Sequence, residues 1–122
     1  MRRAAFILLA VLACGAASAQ TQQEMNATEG AKLGLADKAL NAVYARLMAK
    51  ISPPGQSALR EAQRLWVNFR DRECEFETLG SAGGSVHPMV VAACLTRVTQ
   101  ARTVELKAQL DCPEGDVGCG NQ

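Results

Sequence analysis

RLWVNFRDRECEFETLGSAGGSVHPMVVAACLTRVTQARTVEL, residues 64–106 of a 122-residue chain, is the stretch that decides the fold. It reads as two helices joined by the glycine-rich connector Gly80–Ser85, with Cys74 on one arm and Cys94 on the other. Proline is acceptable only in the first turn of a helix, so Pro88 starts the second arm near His87. Cys74 lies five residues before Leu79 and Cys94 six after Pro88, which sets the two level in an antiparallel hairpin. Closing that loop stabilises the fold by about 3 kcal/mol in the chain-entropy account of disulfides.

Outward from this hairpin, helical periodicity continues in both directions. On the N-terminal side Ser57 is a reasonable N-cap, and Leu59, Ala62, Trp66, Phe69 and Phe76 recur on one face, with Glu73 or Cys74 filling the missing position. Trp66 and Phe69 are therefore expected at the centre of the core. Ser52-Pro53-Pro54-Gly55 ends the preceding helix, because prolines remove amide donors and the residue before a proline avoids helical geometry. That first helix is expected to start at the capping box Thr21-Gln22-Gln23-Glu24. Met25, Leu33, Ala36, Leu40, Val43, Leu47 and Ile51 form its buried stripe.

On the C-terminal side Val91, Leu95, Val98 and Leu106 form an apolar face that Arg102 interrupts, so Arg102 needs a carboxylate, with Asp71, Glu73 and Asp37 as candidates. If that partner is buried, Arg102→Ala is expected to cost about 2–4 kcal/mol. Pro113 stops the last helix, and the tail closes as a small loop between Cys112 and Cys119. The sum is an all-α protein, a small up-down-up three-helix bundle with disulfides, its helices at about 21–50, 57–79 and 88–110 and its tail at 111–122.

The first 19 residues have a different character. Arg2 and Arg3 precede the apolar run Ala4–Ala13, and Ala17-Ser18-Ala19 supplies the small residues a signal peptidase requires, so residues 1–19 read as a signal peptide and 20–122 as one domain. The run is too short to span a bilayer. Val11-Leu12-Ala13-Cys14 offers a second reading, a lipoprotein anchored through Cys14, although Leu12 suits a lipobox poorly. The expected location is periplasmic or secreted, with membrane attachment only if Cys14 is lipidated. Either route leaves four cysteines in an oxidising compartment, which favours disulfides over a metal site. Removing Arg2 and Arg3 from the 13 basic residues leaves 11 against 12 acidic ones. That balance, without a basic stripe interleaved with aromatics, gives no reason to invoke nucleic acid.

No reaction is legible. His87 is the sole histidine and stands without a nucleophile, a second histidine or a placed carboxylate, so it reads as a helix-start residue facing solvent. Asp71, Glu73, Glu75 and Glu77 have helical spacings, but Arg70 and Arg72 interrupt them and a solvated face is the simpler account. No cofactor, phosphate-loop or zinc-ligand spacing occurs. The Gly80–His87 connector is the most interesting surface, since a loop held by a disulfide is partly preorganised to enter a partner's groove.

Gln23-Glu24-Met25-Asn26, Ala36-Asp37-Lys38-Ala39-Leu40-Asn41 with Tyr44, Gln63-Arg64-Leu65-Trp66 with Phe69-Arg70-Asp71 and Cys74, Gly83-Gly84-Ser85, Cys94-Leu95, and Arg102-Thr103-x-Glu105-Leu106 together resemble the LprI-type lysozyme inhibitor N-terminal domain, formerly a bacterial domain of unknown function. The resemblance covers nearly all of the chain after residue 19 and implies an exported helical protein that is not an enzyme. It supports the Cys74–Cys94 bridge. Members often carry an N-terminal cysteine pair, one of them near Thr28, and this chain has neither.

The resemblance implies c-type lysozyme as a partner, and the exposed connector, through Ser81, Gly83, Gly84, Ser85 and His87 with the acidic side chains Asp71, Glu75 and Glu77, is the surface expected to occlude its cleft. The alternative is a non-inhibitory binding or structural module that meets another envelope protein. Asp37, Asn41, Tyr44, Gln63, Trp66, Arg70, Asp71 and Arg102 are expected to form an interhelical network that specifies helix register.

Overall fold

The computed structural model describes the backbone from Arg2 to Gly120 and the side chains from Thr21 to Gly120. The expected leader with its cleavage site and Cys14 lies outside the residues whose side chains are described. The elements are α1 (Arg2–Lys50), α2 (Pro53–Glu77), a short 3-10 turn (Leu79–Ser81) and α3 (His87–Leu110). No strand occurs among the described residues.

Two expected boundaries move. Helix α1 does not begin at Thr21 but runs through it from Arg2, so the capping box is not a helix start in the whole chain. Helix α2 begins at Pro53 with Ser52 as N-cap, and Ser57 lies one turn inside it. The prolines start this helix rather than fill a reversal, because the amides they lack belong to a first turn that has no acceptor for them. The link from α1 is therefore only two residues long. Gln56 closes it, its side-chain amide donating to the Met48 and Ile51 carbonyls at 3.0 and 3.2 Å.

Helices α1 and α3 are parallel and pack directly on each other, and α2 runs antiparallel to both. Asn26 Nδ2 donates to the Ser85 carbonyl at one end and Lys50 Nζ to the Leu110 carbonyl at the other, which fixes the α1–α3 register. The backbones pack most closely along this pair. Ala36 on α1 and Ala92, Thr96 and Thr99 on α3 are buried and small, which lets the helices approach. Thr96 donates to the Ala92 carbonyl at 2.8 Å, so burial leaves its hydroxyl satisfied.

The core has two parts. Leu40, Leu47, Ile51, Leu106 and Leu110 form the larger, and Cys74, Cys94 and Val98 the smaller, with Trp66 packed against both. Of the expected α1 stripe, Ala36, Leu40, Leu47 and Ile51 are buried, while Met25 is exposed.

Helix α2 is turned differently from its apolar pattern. Phe69 is 57 % exposed and Phe76 70 %, so neither belongs to the core. The inward face is Leu59, Gln63, Trp66, Arg70, Cys74 and Thr78. Cys74 decides this rotation, because it is 1 % exposed and bridged to Cys94. At 3.6 residues per turn, Phe69 and Phe76 point roughly 140–160° away from Cys74.

Candidate functional site

Cys74 and Cys94 are at disulfide distance, their Cα atoms 5.7 Å apart, and they lock α2 to α3 directly below the connector. The connector itself is ordered by local bonds rather than loose. Thr78 is buried and its hydroxyl donates to the Cys74 carbonyl at 2.6 Å. Ser81 Oγ donates to the Thr78 carbonyl at 2.9 Å and lies 2.8 Å from His87 Nδ1. A hydroxyl has one proton to give, so His87 Nδ1–H donates to Ser81, a structural role for the ring. Gly83 has φ +79°, a conformation that favours glycine, and a Cβ on Gly84 would meet the Ser81 carbonyl at 3.2 Å.

These bonds shape a cleft of about 620 Å³ at the hairpin end, where Asp71, Glu75 and His87 meet beside Thr78 and the Cys74 bridge. Ser81 adjoins it through His87, and Gly83, Gly84 and Ser85 form the exposed tip. Glu77 stands apart from this cleft and pairs with Arg97 of α3 at 2.6 Å. The acids do not present bare charge, since Arg72 pairs with Glu75 at 2.8 Å and Arg70 with Asp71 at 2.9 Å.

Several polar side chains converge around Trp66. Arg70 and Arg102 both lie over its ring, 5.3 and 6.0 Å from the centroid. Arg70 Nη1 also contacts Asp37 Oδ1 and Thr99 Oγ1, each at 3.4 Å, which joins all three helices at one point. Arg102 takes none of its expected partners. It donates to Gln63 Oε1 at 3.1 Å and to Glu105 at 2.9 Å. Asp37 lies instead at the height of Arg70, and Arg102, three residues beyond Thr99 on antiparallel α3, meets Gln63.

Asn41 and Tyr44 line a concavity of about 340 Å³ between α1 and α2 together with Asp37, Gln63, Trp66 and Arg70. Spacing puts Asp37, Asn41 and Tyr44 on one face of α1 and Gln63, Trp66 and Arg70 on one face of α2, and packing brings the two faces together. On the outer side of α2, Glu61 is held below the ordinary carboxylate value by the hydrogen bond from Arg64, and that bond raises Arg64 in turn.

Sequence reasoning missed an apolar groove of about 560 Å³ at the other end, where Ala58 and Leu59 of α2 face Leu106 of α3 over Leu47 and Ile51. Its signal was the spacing of Pro54, Ala58 and Ala62, small residues that leave room between the helices. In the tail, Cys112 and Cys119 are at disulfide distance with Cα atoms 6.0 Å apart, and Asp116 completes a group of suitable ligand types. Paired sulfurs are not thiolates, so that group is a crosslink rather than a metal centre. Gln109 holds the tail against α3 by bonds with Gly118 and Gly120.

Among the described residues no helix is long and apolar enough to cross a membrane. The family model described as lysozyme inhibitor LprI matches residues 14–106. An uncharacterized protein of Rhizobium meliloti (strain 1021) is 31 % identical over 137 aligned positions, which cover 92 % of this chain and 99 % of that protein. No solved structure matches.

Proposed function

The chain belongs to the LprI lysozyme inhibitor family, and from that premise we propose that it is an exported envelope protein that shields peptidoglycan by blocking a lysozyme's cleft. Residues 1–19 act as its signal peptide, and residues 20–122 make up the domain that remains. The single observation that carries the blocking role is the hairpin end, where a loop ordered by Ser81 and His87 stands on the Cys74–Cys94 bridge. A preordered loop loses little conformational freedom on binding. Ser81, Gly83, Gly84, Ser85 and His87 supply the inserting edge, and Asp71, Glu75 and Glu77, each paired with an arginine of this chain, stand beside it toward the enzyme.

Catalysis is not part of this reading. His87 is engaged with Ser81, and the acids beside it are engaged with arginines. The test is lysis of bacterial cell walls by a c-type lysozyme in the presence of the oxidised protein and of its Cys74→Ser, Cys94→Ser variant. Inhibition that weakens in the variant supports the reading. Undiminished lysis at large molar excess of the oxidised protein overturns it and favours a module that meets another envelope protein.

A further inference from the structure

The open concavity of about 340 Å³ between α1 and α2 holds polar groups that the bundle does not use. Asn41 and Tyr44 of α1 line it opposite Arg60 and Gln63 of α2. Among the described residues Asn41, Tyr44 and Arg60 have no hydrogen-bond or ion-pair partner. Gln63 accepts from Arg102 through its carbonyl and keeps both amide N–H groups. The ring of Tyr44 packs against the core, so its hydroxyl is held in place while it stays unused.

Side chains on the solvated surface of one helix diverge from each other. Here residues 41 and 44 of α1 and residues 60 and 63 of α2 stand on facing walls of one hollow, so their free groups converge. A concave site with a few convergent polar groups beside an aromatic wall is the form that small-molecule sites take. The volume lies at the lower end of their range of about 300–1,000 Å³.

The unused groups define the ligand. Of the arginines that line the hollow, Arg64 is paired with Glu61 and Arg70 with Asp37 and Asp71, which leaves Arg60 as the uncompensated charge. A guanidinium matches one carboxylate, held through two parallel N–H bonds. Asn41, Gln63 and Tyr44 supply amide and hydroxyl groups, which match neutral hydroxyls and acetamides. A carboxylate among hydroxyls and acetamides is the chemistry of an acidic amino sugar, and in a bacterial envelope peptidoglycan carries it.

We propose that this hollow is a glycan site for a muramyl unit of peptidoglycan. Arg60 takes the carboxylate of the lactyl group or of the peptide attached to it, and Asn41, Tyr44 and Gln63 take the neutral groups. The choice of peptidoglycan rests on the envelope reading above, whereas the site itself does not require lysozyme. Helix α2 rises about 20 Å from Gln63 to Glu77, so the hollow and the hairpin end can be occupied together. A domain seated on the strand in this way holds its hairpin beside the polymer that a lysozyme must approach.

Binding calorimetry tests this with oxidised protein exported from the full chain. The probe is N-acetylglucosaminyl-N-acetylmuramic acid, and its counterpart is diacetylchitobiose, which lacks the lactyl carboxylate. The expected result is binding of the muramyl disaccharide at least about 10-fold tighter than chitobiose, with about 10-fold lost in Arg60→Gln and a smaller loss in Tyr44→Phe. Urea midpoints establish that both variants fold. The same disaccharide carrying its peptide shows which carboxylate Arg60 holds, and tighter or weaker binding of it than of the bare disaccharide supports the site in either case. Equal binding of the two disaccharides overturns the site, as does unaltered binding by a folded Arg60→Gln variant or no binding of any muramyl probe. Cell-wall lysis by lysozyme is measured beside it. An Arg60→Gln variant that loses the sugar and still inhibits supports a site separate from the blocking role, and protein that binds the sugar without inhibiting keeps the site and removes that role.

Discussion

Arg70 of α2 reaches Asp37 of α1 at 3.4 Å while its guanidinium lies over the Trp66 ring. The arginine is mostly buried, its side chain 17 % exposed, whereas Asp37 is 45 % exposed. Such a pair is weaker than a sealed one as a charge interaction, and its value lies in the number of groups the guanidinium satisfies.

Arg70→Ala removes bonds to Asp37, Asp71 and Thr99 together with the ring contact. The expected cost is about 2–3 kcal/mol by urea unfolding. Arg102→Ala leaves behind Gln63, the exposed Glu105 and the more distant Trp66 ring, so about 1–2 kcal/mol is expected, less than a buried acid would have implied. An Arg102 variant less stable than the Arg70 variant contradicts this ordering.

Phe69→Ala and Phe76→Ala are each expected to change stability by less than about 0.5 kcal/mol, because neither side chain is packed in the core. Leu40→Ala and Leu106→Ala, at 3 and 2 % exposure, should each cost about 2–5 kcal/mol. Comparable urea midpoints for the two sets would show that α2 is rotated differently.

The two disulfides should behave unequally. Replacing Cys74 and Cys94 by serine is expected to remove about 3 kcal/mol, given a closed loop of 20 residues and a buried site. Replacing Cys112 and Cys119 should release the tail with little effect on the bundle, since that loop of 7 residues lies beyond the end of α3. Calorimetric melting of the two variants side by side measures the difference.

Gln56→Ala breaks the bonds to the Met48 and Ile51 carbonyls in the two-residue link. A loss of about 1 kcal/mol is expected in urea. Hydrogen exchange should quicken at the end of α1 before it does elsewhere, and uniform exchange would contradict the local role.

The glutamate on the outside of α2 gives a pH test with a definite sign. Glu61 has a lowered value in the folded chain, so whatever it contributes is present above its unfolded value and lost as pH falls through the folded one. The group is fully exposed, so Glu61→Gln should leave the acid limb of the stability profile almost unchanged, as urea midpoints across the acidic range would show.

Three helices, the bounds of α3 and the level of Cys74 with Cys94 were legible because glycine and proline mark ends by local geometry. The rotation of α2 was not, because Trp66 belongs to two competing stripes. One continues through Phe69 and Phe76, the other through Arg70 and Cys74. Hydrophobicity selects the first, while a crosslink on Cys74 permits only the second. Placing Cys74 on the same face as Phe69 and Phe76 overlooks that helix geometry sets them about 140–160° apart. The partners of Arg102 were out of reach for a related reason, since its contact with Gln63 depends on helix height, and spacing within one helix carries no such information.

The parallel pairing of α1 with α3, joined at residues 59 and 60 positions apart, sets the order in which the chain can mature. A ribosome delivers the N-terminus first, so Leu40, Leu47 and Ile51 emerge well before Leu106 and Leu110 exist to cover them. The hairpin of α2 and α3 is local and can close on its own once Cys94 has emerged, whereas α1 waits for it. Until that docking the oldest part of the molecule is the least finished, its apolar stripe still uncovered.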